Sequence, residues 1–595
     1  MASDLSARLR IAPAESAWWG LVAALLLLGA LIKLVFAAEF AGAEVRNDHF
    51  RHIALIVMPL LESGDLRLLW TNAHPSAFIH LHEMATLFLL DGDFRWEAYV
   101  GVLASFATFG LFVWLVHRGG REEGGGYPSL TALAVLIPWV GILSDAPFHW
   151  TLIYMQSSFM LIGSLYAWYV VRSCRDIAVD IRTPASGALL LKLYLLGFVA
   201  LALHADFSLL FILGLLGVFL IHAVYWRAWD RLAVCGVMLA LAATRFLVFG
   251  DAGNSHDEGM LAFVLASLRD LPGYVEVFGR ALAGGMLGEW ASKLPEGSSA
   301  LTAVCRGLWF LLSLAFVAAL IRAAISKGVM MTAGAVMGFC AVFALATAFG
   351  RSDGDYPWGM LAPRYFLVYN VAAACFLWVA VDALGAWLKR VRPELAPALA
   401  RFGTLAILLP VAWVTTTSAW QGGEFRRGVS AQRELATYMV IADPDNTFRL
   451  TGFVTGANPE DIYRPVLEWM RALDTGVFAA GYPVTREVTD YRRARAVWTP
   501  DRAQSLIPAG YSGRCFNLSG APLERAYRLE MTSDQRHPMG LRIIDTARRE
   551  VADVRFILSG ETTHYGVLPA GPEYRFCWQR DIELGAFAAM PLDTD

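Results

Sequence analysis

Residues 40–97 read FAGAEVRNDHFRHIALIVMPLLESGDLRLLWTNAHPSAFIHLHEMATLFLLDGDFRWE, and they lie between two apolar runs at 16–38 and 98–117. Each run holds about 20 residues, enough to cross the hydrocarbon of a bilayer as a helix. The stretch between them differs in kind, because it carries Glu44, Asp48, His49, His52, His74, His80, His82 and Glu83. Ionisable groups gathered beside a membrane point to chemistry or recognition there.

Composition agrees with a membrane class. The 595 residues are 56% hydrophobic and 17% charged, whereas a soluble chain carries about a quarter charged residues. The 20 Trp, 19 Tyr and 35 Phe suit aromatic belts at the two interfaces. A net charge of −3 supplies no basic face for nucleic acid. The fold class expected is an α-helical polytopic membrane protein.

Outward from the opening stretch, about eleven apolar spans can be marked by length: near 16–38, 98–117, 129–144, 152–171, 188–204, 207–225, 232–249, 301–321, 328–349, 364–388 and 402–420. Lys and Arg cluster on every second connector: Arg8 and Arg10; Arg118 and Arg121; Arg172, Arg175, Arg182 and Lys192; Arg227 and Arg231; Arg322 and Lys327; Lys389, Arg390, Arg392 and Arg401. The positive-inside rule then places the amino terminus in the cytoplasm and the 39–97 loop outside. The expected organisation is a multi-span region, 1–420, with that large first external loop and an amphipathic external segment at 250–300 lying on the membrane. A hydrophilic α/β to β-rich domain, 421–595, follows on the outside. The first span is read as an uncleaved anchor, its apolar core being too long for a secretory signal.

The tail has its own signals. Asn458-Pro459-Glu460-Asp461 begins a helix running to Gly476, with Pro465 as a kink or an alternative start. RAYRLEM, GLRIID, VADVRFIL and EYRFCW alternate like strands. Of the 7 cysteines, only Cys515 and Cys577 lie in this tail, and an exported pair reads as a disulfide.

Within the loop, Asp48 to Met58 is polar first and apolar after, an amphipathic helix lying on the membrane and ended by Pro59. His80 and Glu83 are three residues apart and share a helix face, while His82 points elsewhere. The run lacks the HExxH spacing of a zinc protease, so the metal is unknown. No cofactor is required by the sequence, although a divalent ion, magnesium or manganese, is compatible with these donors. Asp91-Gly92-Asp93 and Asp353-Gly354-Asp355 look like DxD metal motifs, but aspartate–glycine–aspartate is also ordinary turn chemistry. Walker loops, dinucleotide fingerprints, zinc-finger spacings and serine elbows are absent from the sequence.

Four segments, LWTNAHPSAFIHLHE (69–83), DAPFHWTLIYMQSSF (145–159), GRSDGDYPWGMLAPRY (350–365) and DIYRPVLEWMRALDTGVFA (461–479), together resemble a group of uncharacterised bacterial inner-membrane proteins related to the C-type (GT-C) glycosyltransferase superfamily. The resemblance implies many spans, an acidic first external loop and an external C-terminal domain. It also implies transfer of a sugar from a polyprenyl-phosphate carrier to a glycan or lipid acceptor outside the bacterial cytoplasmic membrane. Its loop acid, acting as base or orienting the acceptor, maps onto Glu44 and Asp48. Asp48 is preferred because it opens the amphipathic helix beside histidines, although helix capping would also explain it. His49, His74 and Glu83 complete the expected catalytic group.

A lipid-phosphate leaving group calls for cations at the outer face. Arg351 and Arg364, with Tyr365, Asp353 and Asp355, are the candidates there; snorkelling to ordinary head groups is the alternative for the arginines. Gln156 and His149 add polar groups on the same side, as do Asp145, His204 and Asp206. Alternative functions are an O-antigen-type polymerase or ligase, a transporter or flippase of lipid-linked glycans, and an inert scaffold.

Overall fold

The computed structural model describes residues 13–46, 48–70, 76–122, 127–149, 151–179, 186–249, 271–294, 299–349, 358–391, 396–442, 460–479 and 482. In the tail it describes the backbone of 504–507, 511–512, 515–521, 525–545, 550–568, 571–578, 583–584 and 587–591. Among the described residues, seven helices are long and apolar enough to cross a membrane: Glu15–Phe40, Arg95–Gly120, Ala205–Trp226, Ser299–Ala324, Met330–Ala348, Phe366–Val391 and Ala398–Gly423. The chain is thus an α-helical protein of multi-pass membrane type.

The other four expected spans are broken or shorter, for local reasons. The segment near 129–144 forms Pro128–Val135 and then Ile137–Val140. Pro138 has no N–H and its ring collides with the carbonyl four residues back, so the helix breaks in front of it. The segment near 152–171 is interrupted at Gln156, between helices Thr151–Met155 and Ser157–Val179. Gly187–Leu203 and Leu232–Val248 have 17 residues each, about 26 Å of helix against about 30 Å of hydrocarbon.

Two compact units divide the chain. The first comprises Met1–Glu39, Leu66–Ile79 and Glu97–Trp420; the second comprises Phe40–Asp65, His80–Trp96 and Gln421–Asp595.

In the first unit, helix Leu271–Leu287 corrects the expectation for 250–300. Tyr274, Val277, Ala281 and Leu282 are buried in the main apolar core, so this helix packs inside the bundle instead of lying on a surface. Residues 250–270 lie outside the described residues. Helix Leu271–Leu287 packs inside because of its small-residue face. A Cβ on Gly279 would collide with the Trp309 carbonyl oxygen, and one on Gly285 would meet the Tyr369 backbone at 2.5 Å. Glycine lets helices approach to backbone contact, which is how helices associate where lipid removes the hydrophobic drive.

The carbonyls left open where the short helix Ile137–Val140 ends find partners in the same unit. Asn370 donates to the Pro138 carbonyl, and Lys33 donates to the carbonyls of Trp139 and Gly141, the latter at 2.8 Å. A broken helix at membrane depth is tolerated only where its backbone is satisfied in this way.

The second unit has its own core. Phe50, Ile53, Val57, Leu87 and Phe94 bury together with Tyr463, Val466, Leu467 and Met470 of the tail helix Glu460–Ala472. The apolar side of the 48–58 stretch is therefore covered by protein, not by a membrane surface. Pro59 does not end that stretch, either. Asp48–His52 continues as a π-helical turn, Ile53–Val57, into Met58–Ser63, with Pro59 in the first turn of the last piece. The Met58 N–H reaches back five residues to the Ile53 carbonyl. Widening the turn makes room for the proline ring. Gly64, at φ 69°, closes the helix with its N–H on the Leu60 carbonyl at 2.8 Å.

Farther along the tail, the backbone forms strands β1 (Gln504–Ile507), β2 (Tyr511–Ser512), β3 (Cys515–Ala521), β4 (Arg525–Asp545), β5 (Glu550–Leu568), β6 (Gly571–Trp578), β7 (Glu583–Leu584) and β8 (Phe587–Pro591). One sheet runs β1-β8-β4-β6-β3 with β5 also on β4, and β2 pairs β7. In the β3–β6 register Cys515 stands opposite Cys577.

Candidate functional site

The helix Ala77–Leu89 has 13 residues, about 20 Å of rise, too short to span a bilayer. Its three-residue spacing puts His80 and Glu83 on one face, and both are fully buried, at 0% exposure. His52, from the end of helix Asp48–His52, meets them in the second unit at 8% exposure. His52 Nδ1 lies 2.8 Å from Glu83 Oε1, and His80 Nδ1 lies 3.3 Å from Glu83 Oε2. The two imidazoles meet edge to face with centroids 5.0 Å apart.

Burial alone would raise the Glu83 carboxyl. The charges and hydrogen bonds of His52, followed by those of His80, outweigh it and hold the group down at about 2. Burial also pulls His80 below its ordinary value, against the raising effect of the carboxylate. Glu83 is therefore an ionised carboxylate at neutral pH: a poor base by itself, but a strong acceptor that orients two imidazoles. His80 Nε2 is buried with no hydrogen-bond partner. One donor atom from each of His52, His80 and Glu83 can be chosen so that all lie within 4.8 Å of one another, close enough to hold a metal ion.

The other candidates of the second unit fare differently. Glu44 is buried, its carboxylate so close over Gly42 that a Cβ there would meet Oε2 at 2.8 Å. His49 is buried against Phe94, with centroids 4.3 Å apart, and its Nδ1 accepts the Arg46 N–H at 3.3 Å. That is the environment of a packed core histidine. Asp48 is exposed at the start of its helix. His74 lies outside the described residues. Asp91-Gly92-Asp93 is a turn, as aspartate–glycine chemistry allows: Asp91 and Gly92 have φ of 51° and 74°. Asp93 pairs with Arg95 at 2.6 Å, and the Asp91 carbonyl accepts the Gly476 N–H at 2.8 Å.

In the first unit, Arg364 is half-buried and stacks on its neighbour Tyr365, 5.0 Å from the ring centroid. Gln156 is half-buried at the interruption between two helices, and His149 closes the short helix Ala146–His149. Arg351, Asp353 and Asp355 lie outside the described residues. His204, expected in a tight connector, ends one helix and caps the next, while Asp206 of that next helix pairs with Arg245 at 2.8 Å.

One pairing and several residues escaped the sequence reading. His52 is 31 residues from Glu83, and no local spacing joins them. Lys33 left a clearer trace, as the lone charge in the 16–38 run. It is buried over the Trp139 ring, 4.2 Å from the centroid, and lines a cavity of about 30 Å³ with Ser144, Tyr154 and Asn370. Arg280, buried on the Ser292 carbonyl at 2.7 and 2.9 Å, was hidden in a segment read as amphipathic. No family model, no curated protein and no solved structure matches the chain.

Proposed function

We propose that the protein is a membrane glycosyltransferase of the C type, moving a sugar from a polyprenyl-phosphate carrier to a glycan or lipid acceptor at the outer face of the bacterial cytoplasmic membrane. The observation that carries this reading is the buried His52–Glu83–His80 cluster in the hydrophilic loop between the first two apolar helices. It supplies oriented imidazoles beside a fixed negative charge, an arrangement able to take the proton of an attacking hydroxyl.

In the proposed reaction the acceptor hydroxyl oxygen bonds to the anomeric carbon as the bond from that carbon to the phosphate oxygen breaks. Polyprenyl phosphate leaves with the electron pair, and the hydroxyl proton passes to the cluster. Glu83 replaces Asp48 as the central carboxylate, because Asp48 is exposed and Glu83 is held between two imidazoles. In this reading the four shorter or broken apolar helices also cross, giving eleven spans. The loop and a β-rich tail domain stapled by Cys515 and Cys577 then lie outside.

One observation favours the transporter alternative. The helix broken at Pro138, with Lys33 on its free carbonyls, is the kind of discontinuous element transporters use. One experiment separates the two: the purified protein in nanodiscs is given a panel of polyprenyl-phosphate hexoses and pentoses, and released polyprenyl phosphate is measured by mass spectrometry. Transfer predicts release from at least one donor, reduced about 100-fold in Glu83→Gln. Absence of release from every donor, together with movement of the intact carrier across reconstituted vesicles, would establish transport instead.

A further inference from the structure

From the geometry of the loop we infer that His52, His80 and Glu83 form a binding site for a divalent transition ion of the zinc type, with two imidazoles and one carboxylate as ligands. The inference stands on two independent features. The first is placement: one donor atom from each residue falls within 4.8 Å of the other two, and all three side chains are buried. Zinc holds nitrogen and oxygen ligands at about 2.0–2.1 Å, so tetrahedral neighbours sit about 3.3 Å apart. The 2.8 Å contact between His52 Nδ1 and Glu83 Oε1 is already at that scale, and a rearrangement of the His80 ring would complete the set.

The second feature is the orphaned nitrogen. His80 is 0% exposed, and its Nε2 has no partner. A network built only for stability would satisfy that atom, because a buried polar group without a partner costs about 1–3 kcal/mol. That nitrogen keeps a lone pair for a metal ion once the His80 ring turns from the Glu83 carboxylate that its Nδ1 now contacts. Three protein ligands leave a fourth tetrahedral position for water or a substrate oxygen. The donor set of two imidazoles and one carboxylate suits zinc over magnesium, which prefers an all-oxygen octahedron.

Metal binding can be read without any transfer assay, so failure of this site and failure of the glycosyltransferase reading are distinguishable. The full chain in nanodiscs is stripped with chelator and titrated with cobalt chloride. The expected result is a visible ligand-field band saturating at about one equivalent and displaced by zinc. His80→Ala and Glu83→Gln should each weaken cobalt binding about 100-fold or more, and His82→Ala should leave it unchanged. A wild-type protein with no saturable band overturns the inference, as does an unchanged band in both variants. Should the variants fail to fold, zinc-edge X-ray absorption of the wild type decides: two imidazoles and one carboxylate oxygen support the site, and sulfur ligation overturns it.

Discussion

At the scale of single residues, burial separates the acids and bases of the 40–97 loop. Asp48, the most attractive carboxylate by position in the sequence, is exposed, whereas Glu83 is enclosed with an imidazole on each side. Replacing Glu83 by Ala leaves His52 and His80 facing a void, and should destabilise the protein by about 1–3 kcal/mol. Glu83→Gln should recover part of this, because an amide oxygen still accepts from imidazole. Thermal unfolding in nanodiscs, followed by tryptophan fluorescence, measures both; a Glu83→Ala variant as stable as the wild type would show that the cluster carries no structural energy. Lys33 poses a parallel case in the first unit. Lys33→Met keeps the aliphatic stem but strips the donors from the Trp139 and Gly141 carbonyls. The same melt should fall by about 1–3 kcal/mol, and Lys33→Arg by less. The pairing of His80 with Glu83 was legible from a three-residue spacing. That of His52 with Glu83 was not, because it depends on how two separate helices of the loop pack.

At the scale of elements, periodicity marked apolar faces well and said nothing of what covers them. The stretch 48–58 and the segment 250–300 were both expected on a membrane surface. The first is covered by helix Glu460–Ala472, and Leu271–Leu287 of the second is buried in the helical core. The glycines that permit the latter were visible as letters, but their use as backbone contacts is a property of two helices at once. Gly279→Leu should therefore be far worse than its small change in polarity implies, since even a Cβ collides with the Trp309 carbonyl. Loss of the monodisperse peak in size-exclusion chromatography is the expected outcome; a normal profile and melt would mean the helices do not approach as described. The apolar face of the tail helix makes a complementary claim. Leu467 is 0% exposed among Phe50, Ile53 and Val57, and Leu467→Ala should cost about 2–5 kcal/mol. Limited proteolysis would report it as faster cleavage in the loop and the tail, with the first unit unaffected.

At the scale of the whole molecule, the class was legible because about 20 consecutive apolar residues leave few alternatives to a membrane. The number of crossings was not, because Pro138 and Gln156 divide helices that composition alone reads as continuous. The orientation proposed for the tail survives that difference in count: seven and eleven are both odd, so in either case the tail emerges opposite the amino terminus. If the amino terminus is cytoplasmic, as proposed, Cys515 and Cys577 would lie in an oxidising compartment, and their opposed positions in the β3–β6 register would allow the proposed bond to be tested. The remaining five cysteines, Cys174, Cys235, Cys305, Cys340 and Cys375, are free. Protein taken from membranes, denatured without reductant and alkylated should therefore carry five labels, and seven after reduction. Peptide mass spectrometry should place the two reduction-dependent labels on Cys515 and Cys577. Seven labels without reductant would remove the disulfide, and would also take away the chemical support for an exported tail. An alkaline phosphatase fusion at the carboxyl terminus, active only outside the cytoplasm, would then decide orientation by itself: activity there keeps the tail outside without its staple, and inactivity reverses the topology on which the outer-face reaction depends.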